Sequence, residues 1–272
     1  MTHIIESILS ANKGETIVFL LPETTIPNFK DSGEEDLYLH NNIKILSSIY
    51  ESDFYNHFIV NLKNNADRLI IFNAKNISPK LFEEITWVEK NTWPNDLYAS
   101  SKTIEKRLEI NSSNTLLAYS MKHSRVVSFI SMIDVAAIDM MEEKPWEYFN
   151  KISTSNYQTN KSQLCNNKYI ISISSSPIAE RGTGTKLLEY AIKLCAIEQK
   201  KHLIYAIRVS NYHKISHAIT IYKYYDGLMK GDFHDDLFKM AINAGGIPRG
   251  IIKDYYLDPY SLNYGIRIIH NV

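Results

Sequence analysis

The residues best placed for chemistry in this sequence are Arg181, Gly182, Thr183, Gly184 and Thr185. They stand between an apolar run at 169–173 that reads as a strand and an amphipathic run at 187–196 that reads as a helix. A strand, a tight turn and a helix N-terminus together make an anion site. The first N–H groups of a helix have no partner inside it, and the helix dipole adds partial positive charge there. Gly182 and Gly184 allow a sharp turn and keep side chains away from a bound phosphate, while Arg181 adds a fixed charge. The stretch lacks the Gly-Lys-Ser/Thr ending of a P-loop and the third glycine of a dinucleotide fingerprint. The same residues also suit a plain connecting turn.

Other residues offer proton chemistry. His213 and His217 are four apart, and a histidine suits a general base near neutral pH. Glu180 is a further base candidate, and Tyr222, Tyr224 and Tyr225 are candidate proton donors. The alternative for each is plain: a solvated histidine arm, and tyrosines packing a helix against a sheet. A metal at His213 and His217 would need a third ligand, and none stands at a fitting spacing, so no metal is expected. Cys165 and Cys195 are the only cysteines, which argues against a disulfide scaffold or a cysteine zinc site. Cys195 reads as a core residue.

Thirty basic and thirty acidic residues cancel over 272 positions and are spread along the chain, so no nucleic-acid footprint is expected. No apolar run approaches a membrane span, and residues 1–16 lack the apolar core of a signal peptide. A cytoplasmic protein without membrane contact is the expectation.

The elements that must position the site follow in order. Residues 1–66 read as a small α/β appendage, with strands at 17–21 and 43–49, a loop at 23–42 and a helix at 52–64. From 67 onward a second unit begins with a strand at 68–72. Ser78 and Pro79 open a helix that breaks at Thr92-Trp93-Pro94, and Ser100 or Ser101 caps another to 109. Strands at 115–119 and 125–133 make a hairpin around Lys122-His123-Ser124. Residues 139–167 form an irregular, aromatic-bearing insertion that reads either as a surface segment or as the wall of an acceptor pocket. After the glycine turn and its helix come a strand at 203–207, a polar arm at 208–220, helices at 221–229 and 235–243 with Gly245 as C-cap, and strands at 250–255 and 264–269.

This order resembles that of the GNAT acyltransferase superfamily over residues 67–272. Residues 171–188 resemble the family's coenzyme A pyrophosphate loop. Trp87-Val88-Glu89 with Trp93-Pro94, Tyr224 with Gly231, residues 235–238, Gly245, Lys253-Asp254-Tyr255-Tyr256, Asp258, Ser261 and Tyr264-Gly265 resemble a larger subgroup that includes GNAT domains fused to nitrilase-like hydrolases. The resemblance implies a mixed, mostly antiparallel sheet flanked by helices. It implies acetyl-CoA or another acyl-CoA as co-substrate and an amine of a small molecule or peptide as acceptor, with an acyl carrier protein as an alternative donor. Residues 181–185 would hold the pyrophosphate. Ile173, Ser174 and Ser175, facing a strand that ends at Arg208, would line the pantetheine, with an N–H near Ser174 polarising the thioester.

Two positions depart from the family pattern. Ala179 stands where Arg or Gln is common, and Ala241 stands where many members carry the tyrosine acid. His213 and one of Tyr222, Tyr224 or Tyr225 would then have to carry the proton transfers. A non-catalytic acyl-CoA-binding or interaction module is the other reading that Ala241 allows. The sequence leaves the acceptor and the oligomeric state open.

Overall fold

The computed structural model describes residues 58–61, 68–75, 77–94, 97–137, 143–155 and 165–272. The described residues form one eight-stranded sheet, in the order β1-β2-β3-β4-β5-β6-β8-β7. The strands are β1 (Phe58–Asn61), β2 (Arg68–Asn73), β3 (Thr115–Ser120), β4 (Arg125–Val135), β5 (Asn167–Ser175), β6 (His202–Arg208), β7 (Ile247–Ile252) and β8 (Gly265–Asn271). Every neighbouring pair is antiparallel except β5 and β6. This is the mixed, mostly antiparallel sheet expected from the sequence.

Six α-helices among the described residues cover its two faces. On one face lie α1 (Pro79–Thr92), α2 (Ser101–Asn111) and α3 (Trp146–Ser153). They bury Ile70, Phe72, Leu117 and Phe129, and further along the sheet Ile133, Tyr169 and Ile171. On the other face lie α4 (Thr183–Ile197), α5 (Ile221–Lys230) and α6 (Asp236–Asn243). They bury the alternate residues Leu69, Ile71, Leu116, Ala118 and Ile130, as the period of two along a strand requires. Local signals set the ends. Ser78 accepts from the Leu81 N–H ahead of Pro79, Ser100 accepts from Thr103 N–H, and Gly245 takes the left-handed conformation (φ 83°) after α6.

Three expectations need correction. The helix at 52–64 is not formed over Phe58–Asn61, which pair with β2 as an edge strand. Phe58-Ile59-Val60 are strand formers, and a short apolar run does not distinguish helix from strand until a neighbour is available to pair with. The remaining appendage elements, at 17–21, 23–42 and 43–49, lie outside the described residues. The last hairpin begins three residues early, at Ile247, because Gly250 (φ 101°) carries a bulge between Pro248 and Ile251 and the chain leaves the sheet before Tyr255. Helix α4 begins at Thr183 rather than Leu187: the left-handed Gly182 (φ 99°) turns the chain directly into it. Helix α3 lies within the insertion at 139–167.

The parallel pair matters most for the site. It is short, with Asn167, Lys168 and Tyr169 facing His202, Leu203 and Ile204 and no further pairs. A buried ion cluster pins this closed end. The Lys168 ammonium is fully buried, 3.2 Å from Asp134 and 2.7 Å from Glu198, and donates to Asn114. Lys200 adds a 2.7 Å ion pair to Asp134. Burial alone would raise the Asp134 carboxyl, but the charges of Lys168 and Lys200 outweigh it and hold the group below its ordinary 3.8. Lys168→Met should therefore cost about 3 kcal/mol, the low end for breaking a buried pair, because Asp134 and Glu198 are partly exposed. Urea unfolding of both proteins at pH 7 measures it. A carboxylate with a depressed folded pKa stabilises above its unfolded pKa and loses that effect as pH falls through the folded one, so the gap between the two proteins should narrow below about pH 4.

Candidate active site

Beyond Tyr169 and Ile204 the two parallel strands part, and a cavity of about 570 Å³ fills the gap. That volume is in the range of small-molecule sites, about 300–1,000 Å³. Its walls come from both faces of the sheet. Gly184, Leu237 and Met240 close it on the α4/α6 side, and Glu89, Arg107 and Trp146 on the α1–α3 side. The cavity therefore passes through the sheet.

The parting is built into the strands. Opposite Ser131 and Met132, β5 places three residues, so Ile171 is bulged out of the ladder. The Trp146 indole on α3 donates to the Ile171 carbonyl at 3.0 Å. On the other lip, the Tyr255 hydroxyl meets the Ala206 carbonyl and the Tyr169 hydroxyl, each at 3.3 Å. Burial pushes the Tyr255 phenol up to about 12, so it remains a donor at neutral pH. Backbone groups that a continuous ladder would have used are thus met by side chains.

At the mouth lies the glycine turn. Thr183 donates both its N–H and its hydroxyl to the Glu180 carbonyl, at 3.1 and 2.7 Å, and Lys186 N–H reaches the Gly182 carbonyl at 2.9 Å. Between them, the N–H groups of Gly184 and Thr185 have no backbone acceptor among the described residues. Gly184 lies in the first turn of α4 with an ordinary negative φ, and a Cβ there would sit 3.3 Å from Ser175 Oγ. Its missing side chain keeps that wall open. Arg181 is exposed, and Glu180 pairs with Lys122, which holds its carboxyl below the usual range.

Deeper in, on the α1 side, a hydrogen-bonded chain links Ser172 through Ser174 to Glu89, and both of its ends line the cavity. Ser172 and Ser174 hydroxyls are 3.2 Å apart, Ser174 donates to Glu89 Oε2 at 2.5 Å, and Trp93 Nε1 donates to Ser174 at 2.8 Å. Glu89 is 2% exposed, and its other oxygen accepts the Ala99 N–H at 2.9 Å. Ser174's proton is committed to the carboxylate, so Ser172 must donate to Ser174 and present its lone pairs elsewhere. Ser172 lines the cavity. A proton taken by Ser172 can pass along this chain to Glu89, which is the geometry of a general base acting through a relay.

The expected residues divide accordingly. Ile173, Ser175, Gly184 and Arg208 line the cavity. Arg208 turns inward, its Nε 2.7 Å from the buried Asp258 and its guanidinium 5.3 Å from the Trp93 ring. Ser174 is fully buried behind the wall, its side chain spent on Glu89. Arg181, Gly182, Thr183 and Thr185 form the turn outside. The residues expected to move protons are not on the cavity wall. His213 Nδ1 donates to the Ser210 and Tyr260 carbonyls, each at 2.9 Å, on the loop after β6. Tyr222 is 55% exposed beside Lys253. Tyr224 is buried between Tyr212 and Phe233, which pushes its phenol up to about 12, and Tyr225 packs against the same core. Ala241 is fully buried in that core as well.

No chemical role was expected of Glu89, Ser172 or Arg107 from the sequence, and Glu89 entered only within the Trp87-Val88-Glu89 stretch. Two of them carried a usable signal. The buried stripe of α1 is Leu81, Glu84, Ile85, Val88, Glu89, and that of α2 is Ile104, Arg107, Leu108, Asn111. Charged residues on the apolar stripe of a helix are rare unless they are paired or functional.

A sheet of this order, with one parallel pair parted around a cavity and a glycine turn entering a helix at its mouth, has the architecture of the GNAT acyltransferases. Comparison with known proteins agrees. No family model matches the chain. Over 102 residues, 37% of its length, it is 28% identical to YkwB of Bacillus subtilis, described as an uncharacterized N-acetyltransferase; the match spans 45% of that protein. Among solved structures, the loading GNATL domain of CurA from Lyngbya majuscula superposes with a TM-score of 0.61 at 14% identity, covering 76% of this chain and 98% of that one. The GphF GNAT-like decarboxylase in complex with isobutyryl-CoA superposes with a TM-score of 0.60 at 15% identity, covering 74% and 98%. The chain has the fold of the GNAT superfamily, as its sequence implied. These comparisons do not show the nitrilase-fused subgroup.

The relay generates a test. Glu89→Gln replaces the carboxylate at the end of this hydrogen-bonded chain with an amide of the same shape. Turnover of any accepted substrate should fall by about 10²–10⁴, with coenzyme A affinity unchanged. Steady-state thiol release and calorimetry on the same preparation separate the two effects. A normal kcat in the variant removes Glu89 from the mechanism.

Proposed function

We propose that the protein is an acyl-CoA-dependent acyltransferase that moves an acyl group from the thioester to an amine of a small molecule or peptide. The observation that carries this reading is the parting of β5 and β6 after three pairs, around a cavity that opens beside the free N–H groups of Gly184 and Thr185. The pyrophosphate would lie on the turn at 181–185. The pantetheine would thread between Ile173 and Ser175 on one lip and Ile207 and Arg208 on the other, past Met240 and Leu237. The acyl group would then reach the α1–α3 side.

Chemistry at that point needs three things. The acceptor nitrogen forms a bond to the carbonyl carbon and gives up a proton, which Ser172 receives as the relay discharges onto Glu89. The carbonyl oxygen gains charge, which N–H groups of β5 beyond Tyr169, where the pairing with β6 has ended, would meet. The C–S bond breaks, and the thiolate takes a proton from solvent as coenzyme A leaves the cavity. On this reading the base is supplied through Ser172 rather than by His213 or the three tyrosines.

A carrier-protein donor would favour a basic patch at the cavity mouth. Lys186, Lys193 and Arg208 do not gather into one: Lys186 pairs with Glu189 at 2.9 Å, Lys193 lies over the Tyr190 ring, and Arg208 faces inward to Asp258. Free acyl-CoA is the donor this arrangement suits. The GphF structure holding isobutyryl-CoA supports a coenzyme A thioester in this fold.

Gly184→Glu tests the reading. Its backbone conformation accepts a side chain, and the nearest obstacle, Ser175 Oγ at 3.3 Å, needs only a small shift, so the variant should fold. Its carboxylate would face the phosphates. A ligand at a hundred times its Kd stabilises the native state by about 2.7 kcal/mol, a rise in Tm of about 5–10 °C for a chain of this size. Coenzyme A should produce that rise in the wild type and none in Gly184→Glu. Coenzyme A and acyl-CoA that bind without any thiol release across an amine panel would leave a binding module in place of an enzyme.

A further inference from the structure

Arg107 poses a problem that the acyltransferase reading does not solve. It is 3% exposed, and among the described residues its guanidinium makes one hydrogen bond, from Nη2 to Asn150 Oδ1 at 2.9 Å. A guanidinium carries five N–H donors. Its Nε is buried with no acceptor among the described residues. Among the described residues Asn111, Arg125, Tyr224, Asp235 and Ser261 also keep one unmet buried atom each, but none of them lies on the cavity wall; Arg107 does. The Trp146 ring, 5.6 Å from Cζ, flanks the group. Glu89 is the acid that acts on it electrostatically, yet both Glu89 oxygens are taken, by Ala99 and Ser174, and no ion pair forms between the two. Burial lowers the Arg107 pKa to about 10, partly offset by Glu89 and Tyr256, so it is a cation at neutral pH. A buried cation with a neutral partner and idle donors is costly unless a ligand completes it.

We propose that the Arg107 end of the cavity binds a carboxylate carried by the bound substrate. A carboxylate matches the planar fork of a guanidinium in two parallel bonds. A carboxylate monoanion adds less negative charge beside the buried Glu89 than a phosphate dianion would, and so costs less there. Trp146 and Tyr256, with rings 4.8 Å apart at this end, suit an apolar body behind the carboxylate. This inference deepens the acyltransferase reading and rests on it for the word substrate. The carboxylate belongs either to the acceptor, as in an amino acid, or to the far end of a dicarboxylic acyl group.

The test uses the full chain in three arms. In the first, without coenzyme A, the fluorescence of the cavity tryptophans follows titration with phenylacetate and with its neutral counterpart phenylacetamide. Phenylacetate should bind about 10–100-fold more tightly, the value of hydrogen bonds to a charged group. Arg107→Gln should erase that preference without lowering Tm, since it removes an unsatisfied buried charge; Arg107→Lys should retain part of it. In the second arm, calorimetry compares succinyl-CoA with butyryl-CoA. In the third, thiol release from acetyl-CoA compares phenylalanine with phenethylamine. A carboxylate preference confined to the second arm assigns it to the acyl group, and one confined to the third to the acceptor; either supports the proposal. Selective phenylacetate binding with no response to any coenzyme A thioester keeps the carboxylate site and discards the acyltransferase reading. Equal binding of charged and neutral ligands in all arms, or a preference that survives Arg107→Gln, overturns the proposal. So does a Tm that falls sharply in both Arg107 variants with no change in selectivity, which would make the residue structural.

Discussion

Two parallel strands that pair for three residues and then separate set the terms for the rest of this molecule. Parting them exposes backbone donors and acceptors inside a protein, where each unmet group is costly. The structure handles this from both ends. At the closed end, Lys168 ties β5 to Asp134 on β4 and to Glu198 at the end of α4, while His202 meets the Asn167 side chain across the pair at 2.9 Å. At the open end, Trp146 takes the Ile171 carbonyl and Tyr255 the Ala206 carbonyl. Helix α3 and the loop after β7 are therefore parts of the gap, holding its lips as well as covering the sheet.

The order of elements, the helix caps and the glycine turn were legible because each depends on local chemistry. Ser78, Ser100, Gly182 and Gly245 act within a few residues of themselves, through a side-chain acceptor or a positive φ. What local chemistry could not supply was partner choice. Phe58–Asn61 became a strand because β2 offers an edge, and β7 starts early because a bulge at Gly250 re-registers it against β8. The start of α4 also moved, and the difference has chemical weight. With Gly182 as the turning residue, Gly184 becomes a helical wall of the cavity instead of a second hinge.

The proposed proton chemistry was the least legible part. Histidine and tyrosine attract attention because of their intrinsic pKa values, but here His213 is spent on two carbonyls and Tyr224 on the core. The residues that converge on the gap are two serines, a glutamate and an arginine from β5, α1 and α2. Serines at 172 and 174 look like ordinary strand residues. Their meaning appears only when β5 is bulged and α1 brings Glu89 across it. The readable clue was a contradiction within the helices: charges at positions that the apolar period assigns to the core.

That contradiction also separates structural from functional charge. Glu84 sits on the same stripe of α1 as Glu89, and it accepts the N–H of Val126 at 2.8 Å, stitching the helix to an edge of β4. Lys168 is as buried as any residue in the chain and is surrounded by three acceptors. Both are completed by the protein itself, so both are accounted for by the fold. Glu89 is completed by a chain of hydroxyls that ends at the cavity, and Arg107 is barely completed at all. Folding would favour replacing such a group with an apolar one of similar size. Its place on the cavity wall, on the face of the sheet opposite the glycine turn, divides the gap in two. The α4 side offers backbone amides and apolar contacts that suit a common carrier, and the α1–α3 side offers specific charges that suit whatever distinguishes one substrate from another.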